Sequence, residues 1–173
     1  LLETKPELRI NILSWNFPAL YAAEREWNSA AKFTSETSDR LCFCFDSSLP
    51  LGSAQHQKIV VIDGVLAFVG GLDLTIRRWD TSAHDYDHPL RHDPAGKYYR
   101  PFHDVQMMVE GDAARALGRL ARARWQCACD ARIPLRRGFT DCWPDEVAAD
   151  FKDVEIGIAR TQPTANACTG AGG

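Results

Sequence analysis

The sequence predicts an α/β fold in which a mixed β-sheet is flanked by helices. Short apolar or alternating runs, typical of strands, are interleaved with segments whose apolar residues recur at helical spacing. The clearest local signal is Asp63-Gly64 between the β-branched runs 58–62 and 65–69, which predicts a hairpin. With 173 residues, of which 45% are hydrophobic, the chain can bury one sizeable core and is not globally disordered.

The predicted elements before the hairpin are two strands, a helix and a loop. Residues 9–15 alternate in character and indicate a strand. Pro18 fits the first turn of a helix, because the apolar residues after it recur at helical spacing. Residues 41–45 form a second short apolar run, and residues 47–54 contain proline and glycine, as loops do. A helix between two strands is typical of α/β proteins.

The elements after the hairpin begin with a long polar segment. Residues 81–100 are rich in His, Asp, Pro and Tyr, and they predict an ordered functional loop or lid. Residues 104–109 predict a strand, and Asp112 is expected to cap a helix that runs through Trp125. Residues 154–159 alternate again and predict the last strand.

We expect one domain over residues 1–161 and a tail over residues 162–173. The tail is small, polar and Gly-rich, which indicates a segment that is either disordered or foreign to the natural protein. The chain starts without Met, so we expect a piece of a longer parent. It contains no internal repeat, so a duplicated parent would have only one copy here.

Composition excludes several classes of protein. Twenty Lys and Arg against 23 Asp and Glu give a net charge of −3, whereas general nucleic-acid binders are basic. No apolar run reaches the length of a membrane span, and no signal peptide is visible. None of the six cysteines forms a C-x-x-C pair, so we expect buried or idle thiols rather than a metal site.

His56 and Lys58 give the strongest chemical signal. Residues two apart on a strand project from the same face, and an imidazole beside an ammonium suits attack on an anionic centre. A two-residue turn would place Gly71 opposite His56, so that Gly70 and Gly71 leave room for a ligand and for a close backbone approach. Asp63 lies at the far end of the strand, which indicates a turn-forming or scaffold carboxylate.

The pattern H-x-K-x-x-x-x-D from His56 to Asp63 does not stand alone. It is followed by Gly70-Gly71-Leu72-Asp73 and by Arg78-Trp79-Asp80, and residues 101–106 and 109–125 agree as well. Together these residues resemble the first half of the phospholipase D superfamily, most of all the eukaryotic-type enzymes and their bacterial relatives. The resemblance implies a phospholipase D-like mixed β-sheet flanked by helices, one half of a normally duplicated fold.

The resemblance also implies a phosphodiesterase, either hydrolase or transphosphatidylase, that works through a phosphohistidine. His56 would be the nucleophile, or alternatively the acid, and Lys58 would hold the phosphate oxygens. Asp104 would hold the other imidazole nitrogen, and Asp63 would complete the catalytic motif. Three residues are expected to contact the substrate: Gly70, Gly71 and Asp73.

Asp73 differs from the Asn found in many superfamily members. An ionised carboxylate cannot donate to phosphate and would repel it, so we expect Asp73 to pair with Lys58, Arg77 or Arg78 instead. His103 is expected to make a structural or loop contact. The His/Asp-rich stretch from His84 to Asp93 could bind a divalent ion, but a solvated loop is the favoured interpretation, so no metal or cofactor is expected.

No second H-x-K is present, so the chemistry cannot be completed within this sequence. The expected partners are a phospholipid substrate, a membrane surface and a second half, supplied by the same parent chain or by a homodimer. The cytoplasm or the periphery of a membrane is the expected location. Two alternatives stay open: a nuclease with the same chemistry, which the acidic charge disfavours, and a catalytically silent interaction module.

Overall fold

The structure, a computed structural model, describes residues 1–15, 38–50, 53–135 and 143–161. The described elements are five strands and one helix: β1 Ile10–Trp15, β2 Leu41–Asp46, β3 Lys58–Ile62, β4 Leu66–Gly70, β5 Gln106–Glu110 and α1 Gly111–Cys129. The chain divides into two compact units: residues 1–55, 119–135 and 151–173 in the first, residues 56–118 and 136–150 in the second. The helix predicted after Pro18 and the tail predicted over 162–173 lie outside the described residues.

The first unit is built on a two-stranded parallel sheet. Strands β1 and β2 pair in register from Ile10 opposite Leu41 to Trp15 opposite Asp46. Both strands predicted for this part of the chain are therefore confirmed, within one residue at their ends. Parallel neighbours need a crossover connection, which the intervening 25 residues between β1 and β2 are long enough to supply.

A disulfide joins β2 to the last turn of α1 within this unit. Cys44 and Cys129 are bonded, with their Cα atoms 6.1 Å apart and a sequence separation of 85 residues. The prediction of idle thiols is therefore wrong for these two cysteines. Spacing along the chain could not reveal the bond, because the fold alone brings β2 and the end of α1 together. Cys42 is a free, exposed thiol.

A buried ion pair accompanies the disulfide. Asp46, 1% exposed, ends β2 and accepts hydrogen bonds from the amide and hydroxyl of Ser48 and from the guanidinium of Arg124. Burial alone would raise the pKa of Asp46, but the bonds from Ser48 and Arg124 hold this pKa below its ordinary value. The carboxylate therefore stays ionised and ties the strand to the helix.

The strand predicted over 154–159 is wrong. The described residues 151–161 contain no strand, and all of them are exposed. Val154, Ile156 and Ile158 alternate as a strand would, but they are 53%, 41% and 42% exposed. A strand is stabilised by a neighbour that pairs with its backbone, and no described strand runs beside this segment. The polarity pattern is present, but none of the described strands pairs with it.

The second unit contains a three-stranded antiparallel sheet in the order β3-β4-β5. Its core consists of four buried residues from β4, β5 and the first part of α1: Ala67, Val109, Ala114 and Leu117. Ile59, Val61 and Val69 pack against this core from the sheet. The predicted α/β class, with parallel and antiparallel pairing, is confirmed, and the two kinds of pairing lie in separate sheets.

The hairpin forms as predicted, but its register differs by one residue. Asp63 and Gly64 have positive φ angles of 50° and 77°, as a type I′ turn requires. The turn also includes Val65, so the ladder starts with Ile62 opposite Leu66. One extra turn residue shifts every later pair, which corrects the predicted alignment of both glycines with the strand before them.

Strand β5 leads directly into helix α1. The predicted helix through Trp125 is confirmed and continues to Cys129. It begins at Gly111, so Asp112 lies in its first turn rather than at its cap, where the carboxylate still favours the positive end of the helix dipole and pairs with Arg115. Among the residues that the structure describes, no helix combines the length and the apolar character that a bilayer crossing requires.

Candidate functional site

Lys58 occupies the first position of β3, directly opposite Gly70 of β4. Its Nζ lies 3.1 Å from Oδ1 of Asp73, and the Lys58 side chain is only 9% exposed, against 47% for Asp73. Of the three pairings predicted for Asp73, the structure therefore selects Lys58. An ammonium carries three N–H donors, so one bond to Asp73 leaves donors for a second anionic group.

His56 lies two residues before β3, in extended chain that is exposed to solvent. Because the strand begins only at Lys58, the strand alternation that was predicted to project His56 and Lys58 together does not extend to His56. Within the described part of the chain, no hydrogen bond or ion pair engages the His56 ring. His56 is thus an exposed residue at the same end of the sheet as Lys58.

Asp63 lies in the turn at the other end of β3. Five residue steps separate it from Lys58, which is about 17 Å along an extended strand. The structure therefore gives Asp63 the turn-forming place that the register argument predicts for it. A group at this distance does not share one phosphate with Lys58.

The space beside Gly70 and Gly71 is filled by residues 104–106, which lead into β5. A Cβ added at Gly70 would lie 2.3 Å from the carbonyl oxygen of Val105, and one at Gly71 would lie 2.1 Å from Oδ1 of Asp104. The Gly71 amide also donates to the Val105 carbonyl at 3.0 Å. The expectation of room for a ligand is thus corrected: the glycines admit a backbone segment and a carboxylate of the same chain.

Asp104 reaches the expected end of the sheet. Its carboxylate lies against Gly71 and accepts the Val105 amide at 2.8 Å. Among the described residues, no hydrogen bond joins Asp104 to His56. The structure therefore brings the Asp104 and Lys58 segments to one edge, and the role of Asp104 as a partner of His56 stays a prediction.

The loop after β4 is ordered around a fully buried arginine. All five N–H donors of Arg91 have acceptors: Nε and Nη2 bond Asp80 Oδ1, and the remaining contacts are the carbonyls of Asp85 and Tyr86 and the hydroxyl of Tyr98. The prediction of an ordered loop over 81–100 is confirmed. An arginine with every donor satisfied fixes the path of several loop segments at once.

A second ion pair holds the same loop. Arg77 donates twice to Oδ2 of Asp93, at 2.7 and 3.0 Å, and Oδ1 of Asp93 accepts the amides of Ala95 and Lys97. Asp93 is 8% exposed, so the interpretation of the His/Asp-rich stretch as a solvated loop is wrong for this residue. No cluster of three or more metal-ligating side chains occurs in the ranges that the structure describes.

A carboxylate and two imidazoles form a chain next to Asp104. Oδ2 of Asp80 lies 2.9 Å from Nδ1 of His84, and Nε2 of His84 lies 3.1 Å from Nδ1 of His103. The hydrogen bond from His84, with those from the Thr81 amide and Arg91, holds the pKa of Asp80 far below its ordinary value, although burial opposes this. The sequence did not predict this series of hydrogen bonds, because His84 and His103 lie 19 residues apart and no spacing rule links them.

Curated proteins of similar sequence are phospholipases D. Phospholipase D1 of Saccharomyces cerevisiae is 34% identical over 117 residues, which cover 48% of this chain and 7% of that protein. The phospholipase D of Phytophthora infestans is 30% identical over 118 residues, or 52% of this chain and 6% of that protein. Phospholipase D zeta 2 of Arabidopsis thaliana is 32% identical over 98 residues, or 42% and 9%. No family model matches the chain.

These similarities agree with the resemblance carried by the motif residues. Over about half of its length, the chain is similar in sequence to phospholipases D. It spans less than a tenth of the length of these relatives. The chain presents a lysine, an exposed histidine and an aspartate at one end of a three-stranded sheet.

Alanine substitutions at Gly70 and Gly71 test two different contacts at this edge: the packing against the Val105 backbone and the placement of the Asp104 side chain. Gly70→Ala is expected to lower the free energy of unfolding by about 1–3 kcal/mol, because its methyl group meets the Val105 backbone, which cannot turn aside. The three heavy atoms nearest to a Cβ at Gly71 all belong to the Asp104 side chain, which can rotate away. We therefore expect a smaller loss of stability and a shifted amide signal of Val105 in ¹H–¹⁵N spectra.

Gly157→Ala is the matched control, because no heavy atom lies within 4 Å of the position a Cβ would take there. Urea unfolding of the three variants measures the stability, and the spectra measure the Val105 amide. Equal losses for Gly70→Ala and Gly71→Ala would contradict the assignment of the Gly71 space to the Asp104 carboxylate.

Proposed function

We propose that this chain supplies the nucleophile and one phosphate-binding cation of a phospholipase D-type phosphodiesterase that acts on glycerophospholipids. The observation that supports this most is the Lys58 side chain, which is 9% exposed and whose ammonium lies 3.1 Å from Asp73, at the sheet end next to the exposed His56. A desolvated cation binds a phosphodiester more strongly than an exposed one. The neighbouring imidazole supplies a nucleophile that needs no deprotonation by a further base.

The reaction has two displacements. A ring nitrogen of His56 attacks phosphorus, the bond from phosphorus to the alcohol oxygen breaks, and that oxygen leaves with the electron pair and takes a proton. Lys58 holds the non-bridging oxygens, and the Asp104 carboxylate stabilises the positive charge on the ring. Water or an alcohol then attacks phosphorus, and the phosphorus–nitrogen bond breaks with its electron pair returned to His56.

The proton for the leaving alcohol is assigned to a second H-x-K half, because this sequence has only one such motif. That half comes either from a longer parent chain or from a second copy in a homodimer. The parent would act at a membrane surface, where its lipid substrate lies. On its own, the present chain is expected to turn over natural phospholipids slowly or not at all.

Bis(4-nitrophenyl) phosphate tests the first displacement without the second half, since nitrophenolate departs as a stable anion that needs no proton. We expect one rapid equivalent of nitrophenolate per chain and a matching mass increase on His56 that is lost in acid. His56→Gln abolishes both signals. His92→Gln, which alters an exposed loop histidine, is the matched control and keeps them.

The interaction-module alternative gives the opposite result. A silent module releases no burst and acquires no label on His56 at any pH. A burst that persists in His56→Gln would equally contradict the proposal, since it would assign the nucleophile to another side chain.

A further inference from the structure

An apolar cavity lies in the loop that follows β4. It has a volume of about 500 Å³, which falls within the range of small-molecule sites, and it is open to solvent. Half of its lining residues are leucine or isoleucine, so the cavity favours an apolar group. Asp73 is one of the polar members and is also the partner of Lys58, so the cavity adjoins the cation of the proposed site. The lining residues are Leu72, Asp73, Leu74, Thr75, Ile76 and Arg78.

Two ion pairs hold this loop on either side of Leu74. Before Leu74, the Asp73 carboxylate lies 3.1 Å from Nζ of Lys58, and after it, Arg77 donates twice to Asp93. Arg77 also has a φ of 62°, a conformation that is costly for a residue with a side chain and persists where the surrounding contacts hold it. The backbone between the two ion pairs is therefore fixed in place.

Leu74 and Ile76 stay exposed between these anchors. Leu74 is 82% exposed and Ile76 is 49% exposed. The Thr75 amide donates to the Asp73 carbonyl at 3.0 Å, so Leu74 is the middle residue of a tight turn. A single exposed apolar side chain needs no explanation, but two that line one cavity on a fixed turn form a patch that a bound apolar group would cover.

The charges around the apolar cavity favour an anionic group with an apolar arm. Arg78 lines the cavity, and its guanidinium lies 4.7 Å from the centre of the Phe102 ring. Within the described part of the chain, no carboxylate pairs with Arg78. Lys58 is the second cation, linked to the cavity through Asp73. An apolar protein side chain would fill the cavity without using these cations, whereas a phosphodiester with a hydrocarbon arm would match both features.

We propose that the apolar cavity holds the hydrocarbon arm of the substrate phosphodiester, which is the part that stays esterified to phosphorus when the head group leaves. Leu74 and Ile76 would be specificity-determining residues that favour lipids over polar phosphodiesters such as nucleic acids. This inference rests on the proposed function, because Lys58 holds the phosphate of the same molecule there.

Alkyl 4-nitrophenyl phosphates of increasing chain length test this assignment. His56 displaces nitrophenolate from each of them, and the alkyl group stays on phosphorus, as the diacylglycerol part of a lipid would. With butyl to octyl esters, kept below the concentration at which they aggregate, the burst rate at low substrate concentration should rise about twofold per added methylene. A fully buried methylene would give about fourfold, and an open cavity covers only part of each group.

Substitutions at the exposed side chains locate the alkyl arm. Leu74→Ser should remove most of the rise with chain length, and Ile76→Ser should remove part of it, because each replaces apolar lining by a hydroxyl. Leu74→Met keeps an apolar side chain of similar volume and should keep the rise. Leu90→Ser is the matched control, since Leu90 is 71% exposed on the same long loop and is not among the residues that line the cavity.

A burst whose rate is the same for every ester length would overturn this inference and leave the proposed function intact, and it is the result expected if a protein partner covers Leu74 and Ile76. A rise that is equally steep in Leu74→Ser and Leu90→Ser would also overturn it, because the alkyl arm would then be held elsewhere. Absence of any burst would remove the proposed function and this inference together.

Discussion

Replacing both Cys44 and Cys129 with serine is expected to lower the free energy of unfolding by about 4 kcal/mol. The bond closes a loop of 85 residues, and cross-linking so long a segment removes much conformational freedom from the unfolded chain. A loss of this size is a large fraction of the total stability of an ordinary domain. Urea unfolding at equilibrium, followed by the fluorescence of the tryptophans, measures it.

Cys42→Ser is the matched control for that double substitution. Cys42 lies on the same strand two residues away, but it is a free, exposed thiol, so its replacement should change the unfolding midpoint little. If the double variant unfolded at the same urea concentration as Cys42→Ser, the bond between β2 and α1 would not stabilise the protein.

Local chemistry explains why most elements could be predicted from the sequence. The hairpin depends on Asp63-Gly64, whose positive φ angles the sequence indicates directly. Helix α1 follows from apolar spacing, which residues three and four apart determine among themselves. Its exact start was missed because capping depends on one backbone angle at Gly111, which has a φ of 66°.

Features that depend on residues far apart in the sequence could not be predicted from it. The segment 154–159 has the alternation of a strand, but pairing requires a neighbour that a polarity pattern cannot supply. The Cys44–Cys129 bond and the link from His84 to His103 likewise join residues that only the fold brings together. The predicted register of the hairpin was wrong by one residue. The alternation of apolar residues does not show that Val65 belongs to the turn, and this extra turn residue shifts every later pair of the ladder.

The candidate site falls between these two cases. The pairing of Asp73 with Lys58 could be foreseen as one of three options, because the sequence offers Asp73 three basic residues with which its carboxylate can pair. The position of the Asp104 carboxylate against Gly71 could not be foreseen, because it depends on the strand order β3-β4-β5 and on the close approach of the residues that lead into β5. Lys58 thus lies on one side of β4, opposite Gly70, and the Asp104 carboxylate lies on the other side, against Gly71. His56 precedes Lys58 at the same edge.

Lys58→Gln is expected to slow the nitrophenolate burst about 10²–10³-fold, which is the usual cost of removing one group that stabilises charge in the transition state. Glutamine retains much of the length of the side chain and can still donate a hydrogen bond, so the loss reports the charge. Lys97→Gln removes an exposed lysine of the loop and should leave the burst rate unchanged.

Asp73→Asn distinguishes the ion pair between Lys58 and Asp73 from the phosphodiester contact proposed for Lys58. If Lys58 served only to hold Asp73, removing either partner would slow the burst equally, since both variants break the same 3.1 Å ion pair. If Lys58 binds the phosphodiester, Asp73→Asn leaves its positive charge in place, free of a competing carboxylate. The burst should then stay close to the wild-type rate or exceed it, while Lys58→Gln remains slow. Because the Lys58 side chain is only 9% exposed, raising the salt concentration should change this difference little.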